Sequence, residues 1–437
     1  MMKSLQVITL GCSKNSVDTE HLLSQVARSY RIVPETELCP VDVLLVNTCG
    51  FIGDAKEESI KVILECAARK QAGEIGRLMV FGCLSQRYPD ELPPLVPEVD
   101  AWFGAREQDA LVRALGCEPA PAGRGIPLEG RRLPYAFLKI SEGCNRRCSY
   151  CAIPLIRGAH RSVPMEQLEA EAAQLASQGV RELVIIAQDT TYYGLDLYGK
   201  RCLAQLLERL SRVEGIEWIR IHYSYPADFP EDVLDVMRTN PKLCKYMDIP
   251  LQHISDKVLS AMHRGVDGEW TRNLIARMRE KVPGVVLRTT LIVGHPGEGR
   301  SEFAELMDFV REARFERMGA FAYSEEEGTF GAENLPDTVT KRTKQRRLAR
   351  IMELQRGVSE AFNRSRVGSR CRVLVDAWAD GILLCRSQSE SPEVDGEILL
   401  PYRPEDFGGK APEELVGQFL EVRITQADEY DLTAEVI

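Results

Sequence analysis

Ala136-Phe-Leu-Lys-Ile-Ser-Glu-Gly-Cys144-Asn-Arg-Arg-Cys148-Ser-Tyr-Cys151 is the stretch from which the rest of the chain can be read. Residues 136–140 form a short apolar run of the kind a buried parallel strand needs, and three cysteines follow within eight residues. A barrel of alternating strands and helices places its site in the loops after the strands. Three thiolates at this spacing can wrap one soft metal centre. The usual iron–sulfur cube takes four cysteines, and no fourth follows closely here. One iron would therefore stay open, as one position does in catalytic metal sites. The plainer alternative is a structural zinc site closed by His160, but CxxxCxxC is not a usual zinc spacing.

Working outward, residues 133–368 repeat the alternation six times. Expected strands are 136–140, 182–187, 218–223, 246–250, 285–293 and 318–323. Helical segments lie between them. In the first, Met165, Leu168, Ala172, Leu175 and Ala176 form an apolar stripe that Gly179 ends. Six such units predict a (β/α)6 part-barrel. The basic stretch 341–350 reads as the solvated face of a helix rather than a nucleic-acid contact.

Upstream, residues 1–118 read as an open parallel α/β sheet, with strands at 5–10, 41–48 and 77–81 and helices at 16–29 and 54–69. Residues 119–132, rich in Pro, Gly and Arg, read as a linker. Downstream, short β runs at 371–375, 382–385, 397–400, 418–426 and 432–437 predict a small antiparallel β-barrel. The fold class is thus α/β with a small β-barrel at the C-terminus.

Cys12, Cys49 and Cys83 fall within two residues of the ends of the three N-terminal strands, at spacings of 37 and 34 residues. Parallel strands bring such ends to one edge, so these thiols can converge from far apart in sequence. Gly11, Gly50 and Gly82 beside them leave room for something bulky against the backbone. The simpler reading is that cysteine serves there as a small buried hydrophobe. That reading is the one taken for Cys39, Cys66, Cys117, Cys202, Cys244, Cys371 and Cys385, which share no register.

The 437 residues hold 44% hydrophobic and 27% charged residues, which excludes disorder and fibres. No apolar run approaches the ~18 residues of a membrane span. The apolar stretch near the start is short and broken by Gln6, so no targeting signal is expected and the location expected is the cytoplasm. Thirteen cysteines, an odd number without a secretion signal, argue for thiols rather than disulfides. The net charge of −10 resides entirely in residues 371–437, where 15 acidic residues face five basic ones.

CxxxCxxC with Tyr150 before the last cysteine, after the first strand of a part-barrel, resembles the radical S-adenosylmethionine enzymes. In that superfamily the open iron chelates S-adenosylmethionine, and one electron from an external donor splits it into methionine and a 5′-deoxyadenosyl radical. The resemblance implies that Cys144, Cys148 and Cys151 hold a 4Fe–4S cluster. Gln188 in Ala187-Gln188-Asp189 and Gly294 and Glu298 in the 289–298 stretch, with Tyr150, are the expected surroundings of S-adenosylmethionine.

The order of the three parts is similar to that of the methylthiotransferases, whose last module is called TRAM. Residues 10–20 (LGCSKNSVDTE), Asn47-Thr48-Cys49 and Phe81-Gly82-Cys83 sit where that family carries the ligands of an auxiliary cluster. The resemblance thus implies two 4Fe–4S clusters, the second on Cys12, Cys49 and Cys83. Family members modify either a tRNA adenosine or an aspartate of small-subunit ribosomal protein S-twelve. Gly-Cys-Ser-Lys-Asn-Ser-Val-Asp and Ala-Asp-Glu-Tyr-Asp-Leu at 427–432 resemble the ribosomal-protein branch. The implied reaction abstracts hydrogen from the β-carbon of the aspartate, inserts sulfur from the auxiliary cluster and methylates it from a second S-adenosylmethionine, with a separate sulfur donor restoring the cluster. No general base is assigned, and His222, His253 and His295 are read as structural.

Charge speaks to the same choice independently. An acidic module repels a phosphate backbone within about a Debye length (~8–10 Å), whereas it attracts a basic ribosomal protein. The rivals are a tRNA methylthiotransferase with the same clusters and a zinc-stabilised, non-catalytic ribosome-binding protein.

Overall fold

The computed structural model describes residues 2–37, 39–120, 123–124 and 133–437. The expected linker at 119–132 falls mostly outside the described residues. Five strands form the first sheet: β1 (Lys3–Thr9), β2 (Tyr30–Val33), β3 (Val41–Thr48), β4 (Ile75–Gly82) and β5 (Ala101–Gly104). They are all parallel, in the order β2-β1-β3-β4-β5. Two helices flank the central strands, α1 (Ser13–Val26) and α2 (Gly53–Gln71). α1 buries Leu22, Leu23 and Val26 against the first sheet. Strands β1, β3 and β4 are neighbours, so the loops carrying Cys12, Cys49 and Cys83 meet at one edge.

The second sheet is built from β6 (Tyr135–Lys139), β9 (Glu182–Ile186), β10 (Trp218–Ile221), β11 (Leu243–Asp248), β12 (Val286–Val293) and β13 (Arg317–Ala322). Between its first two strands lies a two-residue ribbon, β7 (Ser141–Glu142) with β8 (Arg161–Ser162). The six long strands pair in parallel in chain order, the arrangement of a part-barrel. Helices cover the outer face, where Leu183, Ile185, Ile219 and Ile221 join the main hydrophobic core. On the other face Val17 of α1 packs on Phe137, Val184 and Ile186, which seats the first domain against the second.

The C-terminal strands β14 (Arg370–Ala379), β15 (Ile382–Arg386), β16 (Ile398–Pro401), β17 (Phe419–Ala427) and β18 (Leu432–Val436) close into a barrel. Four of its pairings are antiparallel; β16 and β18 run parallel. The segment between β15 and β16 reaches into the part-barrel. Arg220 donates to the carbonyls of Ser387 (3.3 Å) and Gln388 (2.8 Å), His222 meets Ser391 Oγ at 2.7 Å, and Tyr246 donates to Asp395 at 2.6 Å. Glu182 is gripped by Arg220 and Arg386, both at 2.7 Å and all three buried. Some of the acidic tail is therefore internal: Glu390 pairs with Arg317 and Arg366, and Asp376 with Arg386.

The helix Lys341–Ser365 corrects one expectation in part. Lys341, Arg342, Arg346 and Arg350 are exposed, but Lys344 and Arg347 are buried. Lys344 pairs with Asp337, and Arg347 pairs with Glu298 at 3.0 Å. No helix of the described residues is long and apolar enough to cross a membrane.

Candidate functional site: two thiol triads and the bridge between them

The loop after β6 turns back on itself so that the Cys144 N–H donates to the Gly158 carbonyl at 3.0 Å. Ser149 anchors the loop's far side: its N–H donates to Met262 O (3.0 Å), and its carbonyl accepts from Gly331 N–H (2.6 Å). Arg264 donates to Cys148 Sγ at 3.4 Å and to the Tyr150 hydroxyl at 3.3 Å. Tyr225 places its hydroxyl 3.6 Å from Cys148 Sγ. Burial pushes the Cys144 thiol up to about 11, and the Cys148 thiol adds to that shift. Burial also raises Cys151, with Cys148 and Cys144 both contributing. These thiols thus lie within electrostatic reach of one another.

The N-terminal thiols converge in a different way. Cys12 caps α1 with extended backbone, Cys49 follows β3, and Cys83 opens the short helix Cys83–Arg87. Burial raises the Cys49 thiol and pushes Cys83 up to about 11; Arg157 opposes the shift at Cys83, while Cys12 and Cys49 add to it. Asn15 ties the three loops. Its amide donates to the carbonyls of Leu10 (2.7 Å) and Thr48 (3.2 Å), and its Oδ1 lies 3.8 Å from Cys83 Sγ. Ser59 Oγ brackets Cys49, accepting from its N–H at 3.0 Å and donating to its carbonyl at 2.9 Å.

The neighbouring glycines correct the expectation of open space. A Cβ on Gly11, at φ +93°, would stand 2.7 Å from Cys49 Cβ, and one on Gly82, at φ +110°, 2.6 Å from Asn47 Oδ1. They let protein pack on protein. Gly294 behaves likewise: its φ is +78° and a Cβ there would meet the Lys344 side chain at 2.4 Å. Glu298 is buried against Arg347 and accepts from the Gly294 N–H, and burial pushes its carboxyl up to about 7. Gln188 donates to Glu142 Oε1 at 2.9 Å, and Tyr150 lies edge-on to His295, 6.4 Å between ring centres.

Glu142 belongs to a buried network that sequence reading missed. Arg157 donates to Asp18 and to Asn15 Oδ1, both at 2.5 Å, and to Cys83 Sγ and Glu142, both at 3.3 Å. Lys139 joins Asp18 and Glu142. Burial alone would raise the Asp18 carboxyl, yet the charges of Lys139 and Arg157 hold it down at about 2. A guanidinium six residues beyond Cys151 therefore touches a thiol of the other triad. The only hint in sequence was Asn15 and Asp18 at helical i, i+3 spacing in the run after Cys12.

Among the described residues no three His, Cys, Asp or Glu side chains converge on a single metal ion; what fits an iron–sulfur centre is the donor chemistry, soft sulfur in threes with an Arg N–H aimed at one sulfur of each set. His160, the fourth donor in the zinc reading, instead meets Ser162 Oγ at 3.1 Å and Asp196 at 3.8 Å. Burial lowers His222 and His253 to about 3 and His295 to about 4, so all three are neutral at pH 7.

Comparison with known proteins agrees with this geometry. The Radical SAM superfamily matches residues 138–310, Uncharacterized protein family UPF0004 residues 4–104, and the TRAM domain residues 367–437. The radical S-adenosylmethionine methyltransferase TsrM from Kitasatospora setae shares the fold, with a TM-score of 0.56 at 15% identity over 76% of this chain and 78% of that one. The class is therefore that of radical S-adenosylmethionine enzymes carrying a TRAM domain. Ribosomal protein uS12 methylthiotransferase RimO from Bacteroides thetaiotaomicron is 48% identical over 439 residues, covering 100% of this chain and 98% of that protein. Its counterpart from Porphyromonas gingivalis is 48% identical over 435 residues, with 99% of both chains covered. At that identity over the full length, the chain belongs to the family of ribosomal protein uS12 methylthiotransferases RimO.

Proposed function

We propose that this chain inserts sulfur into the β-carbon–hydrogen bond of an aspartate of ribosomal protein uS12 and methylates it. The observation that carries the reading is that Arg157, six residues beyond Cys151, donates to Asp18, Asn15 and Cys83 Sγ of the first domain, where Cys83 clusters with Ala152 and Ile156. Cys144, Cys148 and Cys151 hold the 4Fe–4S cluster that binds S-adenosylmethionine, and Cys12, Cys49 and Cys83 hold the auxiliary one. Those cysteines would hold the two centres, which when bound would supply reductive electron transfer to S-adenosylmethionine and the sulfur for insertion.

The protein's own residues orient and shield these groups. Arg264 and Tyr225 set Cys148 from one side, and Asn15 with Arg157 sets Cys83 from the other. The Asp18–Arg157–Glu142–Lys139 network ties α1 of the first domain to the strand and loop that flank the Cys144–Cys151 segment. Gln188, Tyr150, Gly294 and Glu298 would line the S-adenosylmethionine site, with Lys344 and Arg347 holding the 294–298 loop in place. An external electron donor and a sulfur donor complete the cycle.

The acidic C-terminal barrel docks the basic substrate. Glu405, Asp406, Glu413 and Glu414 are exposed together on two short turns, a surface that favours a ribosomal protein over tRNA. Incubation of the anaerobically reconstituted enzyme with uS12 and, separately, with tRNA tests this. A methylthio mass gain is expected on an aspartate of uS12; a gain confined to tRNA adenosine overturns the assignment. A colourless protein with stoichiometric zinc and no iron would overturn the chemistry itself.

A further inference from the structure

Lys14 is a buried cation in an unusual position. It is 8% exposed and lies two residues beyond Cys12 in α1. Its ammonium sits 3.0 Å from the ring centre of Tyr223. Among the described residues no carboxylate stands within ion-pair distance of it. The other cations nearby are matched: Lys139 and Arg157 with Asp18 and Glu142, Arg146 with Asp189, Arg288 with Asp248. With an aromatic face rather than a carboxylate beside it, the largely sheltered side chain carries a charge that has no paired counter-charge.

The partner ring is held under strain. Tyr223 has φ +59°, a left-handed conformation that a bulky residue seldom adopts and that clusters at functional sites. Three hydrogen bonds hold it there. Its N–H donates to Asp248 at 2.9 Å, and its carbonyl accepts from the Thr190 N–H (3.2 Å) and Oγ1 (3.3 Å). The ring packs beside Val17, Phe137 and Ile186, between the first domain and the concave face of the part-barrel. The positive charge is thus fixed where the Cys12 loop meets the strand ends of the part-barrel.

We infer that Lys14 is a specificity-determining residue that receives the side-chain carboxylate of the target aspartate. This rests on the function proposed above. The reacting β-carbon is bonded directly to that carboxyl carbon, so a fixed counter-charge would orient the carbon–hydrogen bond as well as select the residue. Tyr223 shelters the cation in the free enzyme, and the carboxylate is the stronger partner when substrate arrives.

The test uses the reconstituted holoenzyme, purified uS12 and a uS12 variant whose target Asp is changed to Asn. Wild type is expected to bind the aspartate form at least tenfold more tightly than the asparagine form. Lys14→Met should erase that difference, while Lys14→Arg keeps most of it, with substrate-independent S-adenosylmethionine cleavage unchanged in both. Equal binding of the two substrates by wild type overturns the inference without recourse to any variant. Retained discrimination in Lys14→Met overturns it too. Weakened S-adenosylmethionine binding in Lys14→Met would assign the ammonium to the cofactor's carboxylate instead and reject it. If wild type binds uS12 in neither form, the proposed function fails and takes this inference with it.

Discussion

The two triads are assembled by opposite means. Cys144, Cys148 and Cys151 lie in one loop of eight residues, so local backbone geometry nearly suffices to gather them. Cys12, Cys49 and Cys83 come from three strands spread over 72 residues, and they meet only because β1, β3 and β4 are adjacent and parallel. The first set depends on a motif, the second on a topology. Asn15 does for the second what chain connectivity does for the first: one side chain bonds to all three loops. A site gathered over such distances needs a positioned hub, and a site within one loop needs only anchors at its ends.

The sharpest way to break the comparison is to remove one thiol from each set. Cys148→Ala should abolish formation of 5′-deoxyadenosine, whereas Cys49→Ala should leave that cleavage intact and stop sulfur insertion. Chromatography of the nucleoside and mass spectrometry of uS12 read the two separately. Normal thiolation by Cys49→Ala would remove the N-terminal set from the chemistry.

Next in size is the bridge. Arg157→Ala leaves the buried Asp18 carboxylate with only Lys139 for a partner and takes a donor from Cys83. Breaking a buried ion pair on one side costs about 3–5 kcal/mol. The urea midpoint should fall accordingly, and protease cutting between the first two domains should quicken. Gly11→Ala comes third. It forces a Cβ at φ +93° against Cys49 and should destabilise by about 2 kcal/mol. Bound iron should drop from about eight to about four per chain, because only the topological triad is disturbed.

The smallest effect is the response to acid. Burial holds His222 and His253 at about 3, below the ~6.5 of an unfolded histidine, so the unfolded chain takes up protons first as pH falls. Stability contributed by these neutral rings is complete above about pH 6.5 and is lost progressively down to about pH 3. Lowering the pH from 7 to 5.5 should cost about 1 kcal/mol per ring, measured by urea unfolding, and His222→Gln should flatten the slope. Asp18, held near 2, stays charged throughout that range, so the part-barrel should soften before the bridge does.

The contrast between motif and topology also explains what could be read from sequence. Strand β3 was legible to the residue because Val41–Thr48 holds the unbroken Val-Leu-Leu-Val run at 43–46. The four-residue strands β2 and β5 were not, since so few residues show no period. Spacing alone showed that the 144–151 loop could wrap a soft metal centre, and its radical chemistry rested on the resemblance. The N-terminal set emerged only as a register of strand ends, and its meaning rested on the resemblance. Arg157 and Arg264 left no trace, because the contacts of Arg157 with Cys83 and Asn15 span 74 and 142 residues, and nothing local announces which cation will meet which acid. The packing of Lys344 against Gly294 could not be read either, because a left-handed glycine looks the same in sequence whatever fills the space above it.

The segment between β15 and β16 has a further consequence for how the molecule is made. Glu182, Arg220, His222 and Tyr246 obtain their partners from residues 386–395, near the end of the chain. Until that segment has emerged from the ribosome these groups lack part of their native pairing, so the middle domain reaches its final packing only once the barrel module has been made. The small barrel is thus the keystone of the larger fold that precedes it.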